Sequence, residues 1–244
     1  MTVGLTANML RTRAEEFRDE EELKALAVLS KHYYRMTRLI NNASFILDEG
    51  LNSLSSFKSV NISVLYSELL QTCSFYAPDI EIRSNLGEDI ILDCDRALIK
   101  KLLLNLVANC INHAKGCHVI DVILTDSYDN LILSVSDDGC GISAQDLSTV
   151  FDRYRYSFDI SEMSNGPGLG LTVVRLIARM HGGTLLLESR EGIGTTVRVS
   201  FAKQHSPVKS FCSKLEDTDS FKDDALLEFS DFLSPDYYSE KFMD

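Results

Sequence analysis

The stretch Leu103-Leu104-Asn105-Leu106-Val107-Ala108-Asn109-Cys110-Ile111-Asn112-His113-Ala114 decides how this chain is read. Its aliphatic residues recur at helical spacing, and Asn105, Asn109, Asn112 and His113 fall three and four residues apart on neighbouring faces, a polar stripe in an apolar helix. Such a stripe is, in the first instance, the wet side of an amphipathic helix. Amide oxygens one turn apart also suit a hard cation such as magnesium, which prefers oxygen ligands and keeps waters and phosphate oxygens around it. Residues farther along the chain separate the two readings.

Downstream, Asp137-Asp138-Gly139-Cys140-Gly141-Ile142 directly follows an apolar strand, and its glycines allow the backbone to turn sharply and approach a ligand. Further on, Gly166-Pro167-Gly168-Leu169-Gly170-Leu171 opens a helix whose first N–H groups have no intrahelical partner, a place suited to phosphate. Each piece alone is a weak signal: the first fits a plain turn, the second tight packing. The phosphate-loop pattern GxxxxGK[ST] is absent, and the glycines come too late for the first strand of a dinucleotide fold.

The order of the pieces carries more than any one of them. The Asn-rich helix, the DxGxG run, Val150-Phe151-Asp152-Arg153-Tyr154-Arg155, the GxGLGL run, His181-Gly182-Gly183 and Gly192-Ile193-Gly194-Thr195 together resemble the N, G1, F and G2 boxes of sensor histidine kinases. The resemblance spans residues 60–201. It implies an α+β, two-layer α/β sandwich of the Bergerat ATP-binding type: a mixed sheet covered by helices on one face, with a lid at residues 156–167.

The resemblance also implies roles. Asp137 would accept a hydrogen bond from the adenine amino group, discriminating against guanine, whose acceptor at that edge would face another acceptor. Asn109 matches the magnesium ligand, and Asn105 the position one turn earlier that helps hold ion and phosphates. Gly166, Gly168 and Gly170, with Leu169 and Leu171, match the phosphate-facing loop, while His113, Gly139, Gly141, Ile142, Phe151 and Thr195 complete the expected ATP contacts. Asn105, Asn109, Arg153 and Arg155 form the expected catalytic set, with Lys115 a further nearby cation, because phosphoryl transfer needs mainly positioning and charge stabilisation. Two departures stand out: Asn112 replaces the family's usual Lys or Arg, and Cys110 its usual alanine.

The acceptor motif of such kinases, HExRxP-like on the first helix of a dimerising hairpin, is not found among His32, His113, His118, His181 and His205. His32 reads as a helix-surface histidine. Met1-Thr2-Val3-Gly4-Leu5 resembles the segment following the motif's proline, so the expectation is either a chain cut from a longer one or a natural half-kinase. Gyrase-, heat-shock- and mismatch-repair-type ATPases place a general-base glutamate four residues before the metal asparagine, where this chain has Asn105. Anti-sigma serine kinases lack the helical hairpin. A non-catalytic ATP-binding regulatory module acting through the hairpin is the alternative.

Outward from this centre, residues 96–114 and 171–180 read as helices, and 60–63, 80–83, 90–92, 119–125, 131–136, 184–189 and 195–201 as strands, with a further helix at 64–75. Residues 20–49 carry Leu26, Leu29, Tyr33, Met36, Ile40, Ala43 and Leu47 at 3-4 spacing, a long helix with a coiled-coil-like seam. Residues 5–17 are expected to fold back on it as a hairpin that needs a second copy to cover its seam, hence a homodimer. The expected domains are residues 1–54, 60–202 and an acidic, flexible tail at 203–244 with weak helix near 225–233.

Composition limits the partners. Apolar residues make up 45% and the net charge is −12, so the chain can bury a core but offers no broad cationic surface for nucleic acid. No apolar run spans a bilayer and the start is unlike a signal peptide, which implies no membrane contact by this chain itself, although the family is often anchored in the inner membrane. Six cysteines without CxxC or zinc spacing point to free thiols in the cytoplasm. The expected protein partner is a response-regulator receiver domain.

Overall fold

A computed structural model describes residues 20–47, 57–144, 146–147, 169–203 and 218–239 of the chain. The expected first hairpin helix, Val150-Phe151-Asp152-Arg153-Tyr154-Arg155, the lid and Gly166 to Gly168 lie outside the described residues. The fold divides into two compact units, one formed by Met1–Asn41 with Asp217–Asp244 and the other by Asn42–Glu216.

The first unit is built on α1 (Glu20–Leu47), whose acidic first turn, Glu20, Glu21 and Glu22, complements the positive end of the helix. No Gly or Pro interrupts it. At the other end of the chain, the segment expected to be a flexible tail with weak helix near 225–233 carries α5 (Thr218–Glu228), which starts earlier than expected, and a short 3-10 turn at Pro235–Tyr238. Phe221, Ala225, Leu226, Phe229, Leu233 and Tyr238 in this segment are buried. A link across some 190 residues ties this segment to α1: Arg38 donates to the carbonyl of Glu228 at 2.6 Å.

The second unit begins with β1 (Lys58–Asn61) and α2 (Ile62–Tyr76), two residues earlier than the hydrophobic pattern suggested. The reason is local: Asn61 is the N-cap, its side-chain oxygen accepting from the N–H of Val64 at 3.1 Å. Strands β2 (Glu81–Asn85) and β3 (Ile91–Cys94) follow, β3 pairing antiparallel with β1. Asp95 then caps α3 (Arg96–His113) by accepting from the N–H groups of Ala97 and Leu98. Strands β4 (Val119–Asp126) and β5 (Asn130–Asp137), helix α4 (Leu169–Met180), and strands β6 (Leu185–Arg190) and β7 (Gly194–Ala202) complete the unit.

The larger sheet runs β2-β4-β5-β7-β6, parallel between β2 and β4 and antiparallel elsewhere, the mixed sheet expected. One face is apolar: Ile120, Val122, Leu124, Leu131, Leu133, Val135, Val197, Val199 and Phe201 alternate inward. Helices α2, α3 and α4 bury it, and α3 is enclosed almost all round, with Ile99, Leu102, Leu103, Leu104, Leu106 and Val107 at most 1% exposed. At roughly 25 cal/mol per Å2 of apolar surface, each such leucine contributes about 1.5–3 kcal/mol. On the opposite face Ile132, Ser134, Arg198 and Ser200 are half-buried and Ile123 is exposed, so among the described residues the domain has two layers.

His181 joins helix to helix. Buried after α4, its Nε2 accepts from the N–H of Asp95 at 3.1 Å, its Nδ1 meets the carbonyl of Ile177 at 2.7 Å, and Phe57 stacks on the ring at 4.8 Å. This pattern requires a neutral ring protonated on Nδ1. Burial holds its pKa below the usual 6.5, against the opposing pull of the Ile177 carbonyl. The unfolded chain therefore binds the proton more tightly, so the stabilisation is complete above about pH 6.5 and is lost as the pH falls below it. Wild type is expected to lose more melting temperature than His181→Gln between pH 7.5 and 5.5. Parallel melting curves for the two proteins would overturn this.

Candidate functional site

The site is built where α3, the start of α4 and the ends of β5 and β7 meet. On α3, Asn105 is buried, 5% exposed, and its Nδ2 donates to the carbonyl of Lys101 at 2.9 Å, which leaves Oδ1 pointing onward. The polar stripe is therefore not the wet side of the helix at this position. One turn later, Asn109 has a buried Nδ2 with no hydrogen-bond partner among the described residues.

Both amides face Gly170, in the first turn of α4. A Cβ at Gly170 would stand 3.0 Å from Asn105 Oδ1 and 3.3 Å from Asn109 Oδ1. The helix begins at Leu169, two residues earlier than expected, so its free N–H groups open beside the two amides. Two convergent amide oxygens next to a helix N-terminus form a place for a cation and an anion together.

Asp137 and Thr195 are cross-strand partners at the ends of β5 and β7. The carboxylate of Asp137 accepts from the N–H of Gly139 at 3.0 Å. Burial nonetheless raises its pKa, outweighing the backbone donors of Gly139 and Thr195 and the thiol of Cys110. Cys110 follows Asn109 on α3, so one helix serves both the amide pair and this carboxylate. Burial, then the charge of Asp137, pushes the Cys110 thiol well up. Of the candidates, the structure thus brings together Asn105, Asn109 and Gly170 on one side and Asp137, Gly139, Gly141, Ile142 and Thr195 on the other. Leu169 and Leu171 belong to the first turn of α4, and His113 is exposed at the end of α3.

The DxGxG loop is fastened on three sides. Gly139 lies so close to Ala114 that a Cβ would be 2.4 Å from the Cβ there, and Cys140 donates its N–H to the carbonyl of Lys115 at 3.0 Å. Gly141, at φ +64°, has the carbonyl oxygen of Arg190 only 2.1 Å from where a Cβ would be. The N–H of Ile142 donates to Ser189 Oγ at 2.8 Å, and that hydroxyl is also 2.8 Å from Thr195 Oγ1.

Three contributors were invisible in the sequence. Ser189 ties the loop to β7, Cys110 lies against Asp137, and Asp138 accepts from the N–H groups of His118 at 2.7 Å and Val119 at 2.9 Å. Those donors, Val119 first, hold Asp138 below the usual carboxylate range. The Asp-Asp doublet is divided: Asp138 braces the loop while Asp137 enters the site. The DxGxG spacing singles out Asp137, whereas the bracing role of Asp138 has no mark in the sequence. Arg153, Arg155, Phe151, Gly166 and Gly168 lie outside the described residues, and none of the five described cysteines is disulfide-bonded.

Known proteins are similar to this chain in sequence and in fold. A family model described as "Histidine kinase-, DNA gyrase B-, and HSP90-like ATPase" matches residues 94–205. The chain is 37% identical over 113 residues to the histidine protein kinase DivJ of Caulobacter vibrioides, covering 46% of this chain and 19% of DivJ. It is 27% identical over 180 residues to the heme sensor protein HssS of Staphylococcus saprophyticus, covering 73% of this chain and 36% of HssS. It thus spans well under half the length of these curated relatives. In fold it resembles the Acinetobacter baumannii histidine kinase AdeS (TM-score 0.59, 17% identity, 81% of this chain and 95% of that one). It also resembles the ATP-binding domain of PrrB from Mycobacterium tuberculosis (TM-score 0.50, 21% identity, 62% of this chain and 99% of that one).

Proposed function

Because residues 94–205 are a domain of the histidine kinase-, DNA gyrase B- and HSP90-like ATPase family, we propose that this chain binds ATP with magnesium as the catalytic part of a sensor histidine kinase. It passes the terminal phosphoryl group to a histidine for relay to an aspartate of a response-regulator receiver domain. The observation that carries this reading is the meeting of Asn105, Asn109 and Gly170 at the opening of α4.

The residues present fit a magnesium nucleotide. The buried, unpartnered amide nitrogen of Asn109 marks a side chain whose hydrogen bonding is incomplete among the described residues, and amide oxygens are suitable ligands for a hard cation that keeps waters and phosphate oxygens. When bound, the magnesium nucleotide supplies the phosphoryl group and the charge neutralisation for its transfer. The chain's part is to place them. Asn105, fixed by the Lys101 carbonyl, orients the amide pair, and the α4 N-terminus offers N–H groups to phosphate. Asp137 recognises the base, with Arg153 and Arg155 completing the positive charge around the phosphates.

Transfer is favoured over hydrolysis by a specific feature. The side chain at 105 is an amide, which takes no proton from water, where hydrolytic relatives place a carboxylate general base. Homodimerisation is supported by α1: Leu29, Tyr33, Met36 and Ile40 of its seam are 45%, 37%, 61% and 59% exposed, a stripe that a second copy would cover. Among the described residues no helix is long and apolar enough to cross a membrane.

Titration with a fluorescent ATP analogue tests the site. Magnesium is expected to tighten binding at least tenfold, about 1.4 kcal/mol. In Asn109→Ala that gain is expected to vanish while magnesium-free binding stays within about threefold, since only the ion's ligand is removed. Phosphoryl transfer to a separate acceptor helix in trans then tests the reaction. Binding indifferent to magnesium in both proteins would sink the proposed site.

A further inference from the structure

Helix α1 is engaged on a side other than its seam. Arg38 donates to the carbonyl of Glu228 at 2.6 Å, at the end of α5 where helix carbonyls lack partners, and Arg38 also pairs with Asp231. Arg35 Nε lies 2.9 Å from the same carboxylate. Tyr34 packs on Tyr238 with ring centroids 5.2 Å apart, and the hydroxyl of Tyr238 donates to the carbonyl of Leu226 at 2.8 Å.

These contacts share a helix face. At roughly 100° per residue, Tyr34, Arg35 and Arg38 fall within about 100° of arc, and Leu29, Tyr33, Met36 and Ile40 within about 60°, on roughly opposite sides of the helix. Leu29, Tyr33, Met36 and Ile40 of the seam are exposed, whereas Leu26 at its start is buried. Charge is complementary: residues 218–239 carry six acidic side chains against one lysine, and the helix side offers Arg35 and Arg38. Tyr238 is wholly buried, as are Ala225, Leu226 and Phe229, which is the signature of a docked element and not of a solvated tail.

We propose that the Arg35–Arg38 side of α1 is a docking surface for an acidic, aromatic-bearing segment, and that its occupant is the chain's own residues 218–239. The segment makes the first unit a composite of both ends of the described chain. It occupies a side from which any other acidic protein surface would have to displace it, and it leaves Leu29, Tyr33, Met36 and Ile40 of the seam exposed. Neither statement depends on phosphoryl transfer.

Charge reversal in the full chain, read by amide hydrogen exchange and light scattering, tests the proposal. Arg38→Glu and Asp231→Arg are each expected to lower protection of the amides of residues 221–233 at least tenfold, while protection in α3 and the oligomeric state stay as in wild type. Arg35→Glu, at a more exposed partner, is expected to have a smaller effect in the same direction. Combining Arg38→Glu with Asp231→Arg is expected to recover part of the lost protection. Unchanged protection in both single variants, or no recovery in the combination, would overturn the docking. A change of oligomeric state in step with the loss would overturn the separation of the two sides.

Discussion

Replacing Asp137 by Asn is expected to weaken ATP-analogue binding by at least 100-fold, about 2.7 kcal/mol, without lowering the stability of the ligand-free protein. The two halves of this result have one cause. The carboxylate is buried, and burial raises its pKa despite the N–H of Gly139 at 3.0 Å. The folded chain therefore holds the proton more tightly than the unfolded one, so stability rises as the pH falls through the folded pKa, and at neutral pH the buried charge costs stability. Asn removes that cost. In the proposed site it also replaces the acceptor for the adenine amino group by an amide whose donor end competes for the same place. Melting curves and titrations of the two proteins check both halves. A destabilised variant that bound normally would show that Asp137 serves the scaffold and not the ligand.

The second large effect is expected from Gly183→Ala, which should abolish folding or lower stability by more than about 4 kcal/mol. A Cβ there would lie 1.6 Å from the carbonyl oxygen of Ser200, which is backbone of β7 and cannot swing aside. Two neighbouring bonds fix that separation: Gly183 donates its N–H to the carbonyl of Ala178 in α4, and Ser200 in β7 donates its N–H to the carbonyl of Thr184. Gly192→Ala is the control: its φ is +74° but nothing lies within 4 Å of the added carbon, so only backbone strain of about 1–2 kcal/mol is expected. Denaturant midpoints measure both, and similar midpoints would mean that the chain relieves the clash at 183 by shifting its backbone.

Most of the second unit was legible in the sequence because its signals are local. Asn61 and Asp95 are N-caps written in the residue type, alternation marked β4, β5 and β7, and the glycine runs lie where loops approach other backbone. Boundaries moved by about two residues at α2 and α4, where a cap or a free helix end, and not the apolar pattern, fixed the start. The bracing by Asp138 and by Ser189 and the position of Cys110 against Asp137 depend on partners far along the chain and leave no local mark. The same holds for residues 218–239, whose Phe221, Ala225 and Phe229 repeat at helical spacing within a run that composition alone assigns to solvent.

The glycines of the second unit differ in what keeps them glycine. At 139, 141 and 183 the obstacle is the scaffold, but at 170 it is a pair of amide side chains. Drift would therefore be ordered in this site. A lineage that first lost Asn105 and Asn109 could then fill position 170 at little cost to folding, and that later side chain would obstruct the return of either amide. The step out of nucleotide chemistry would act as a ratchet, and a descendant bearing alanine or serine at 170 would record in one residue that its ancestors had already given up the ligand.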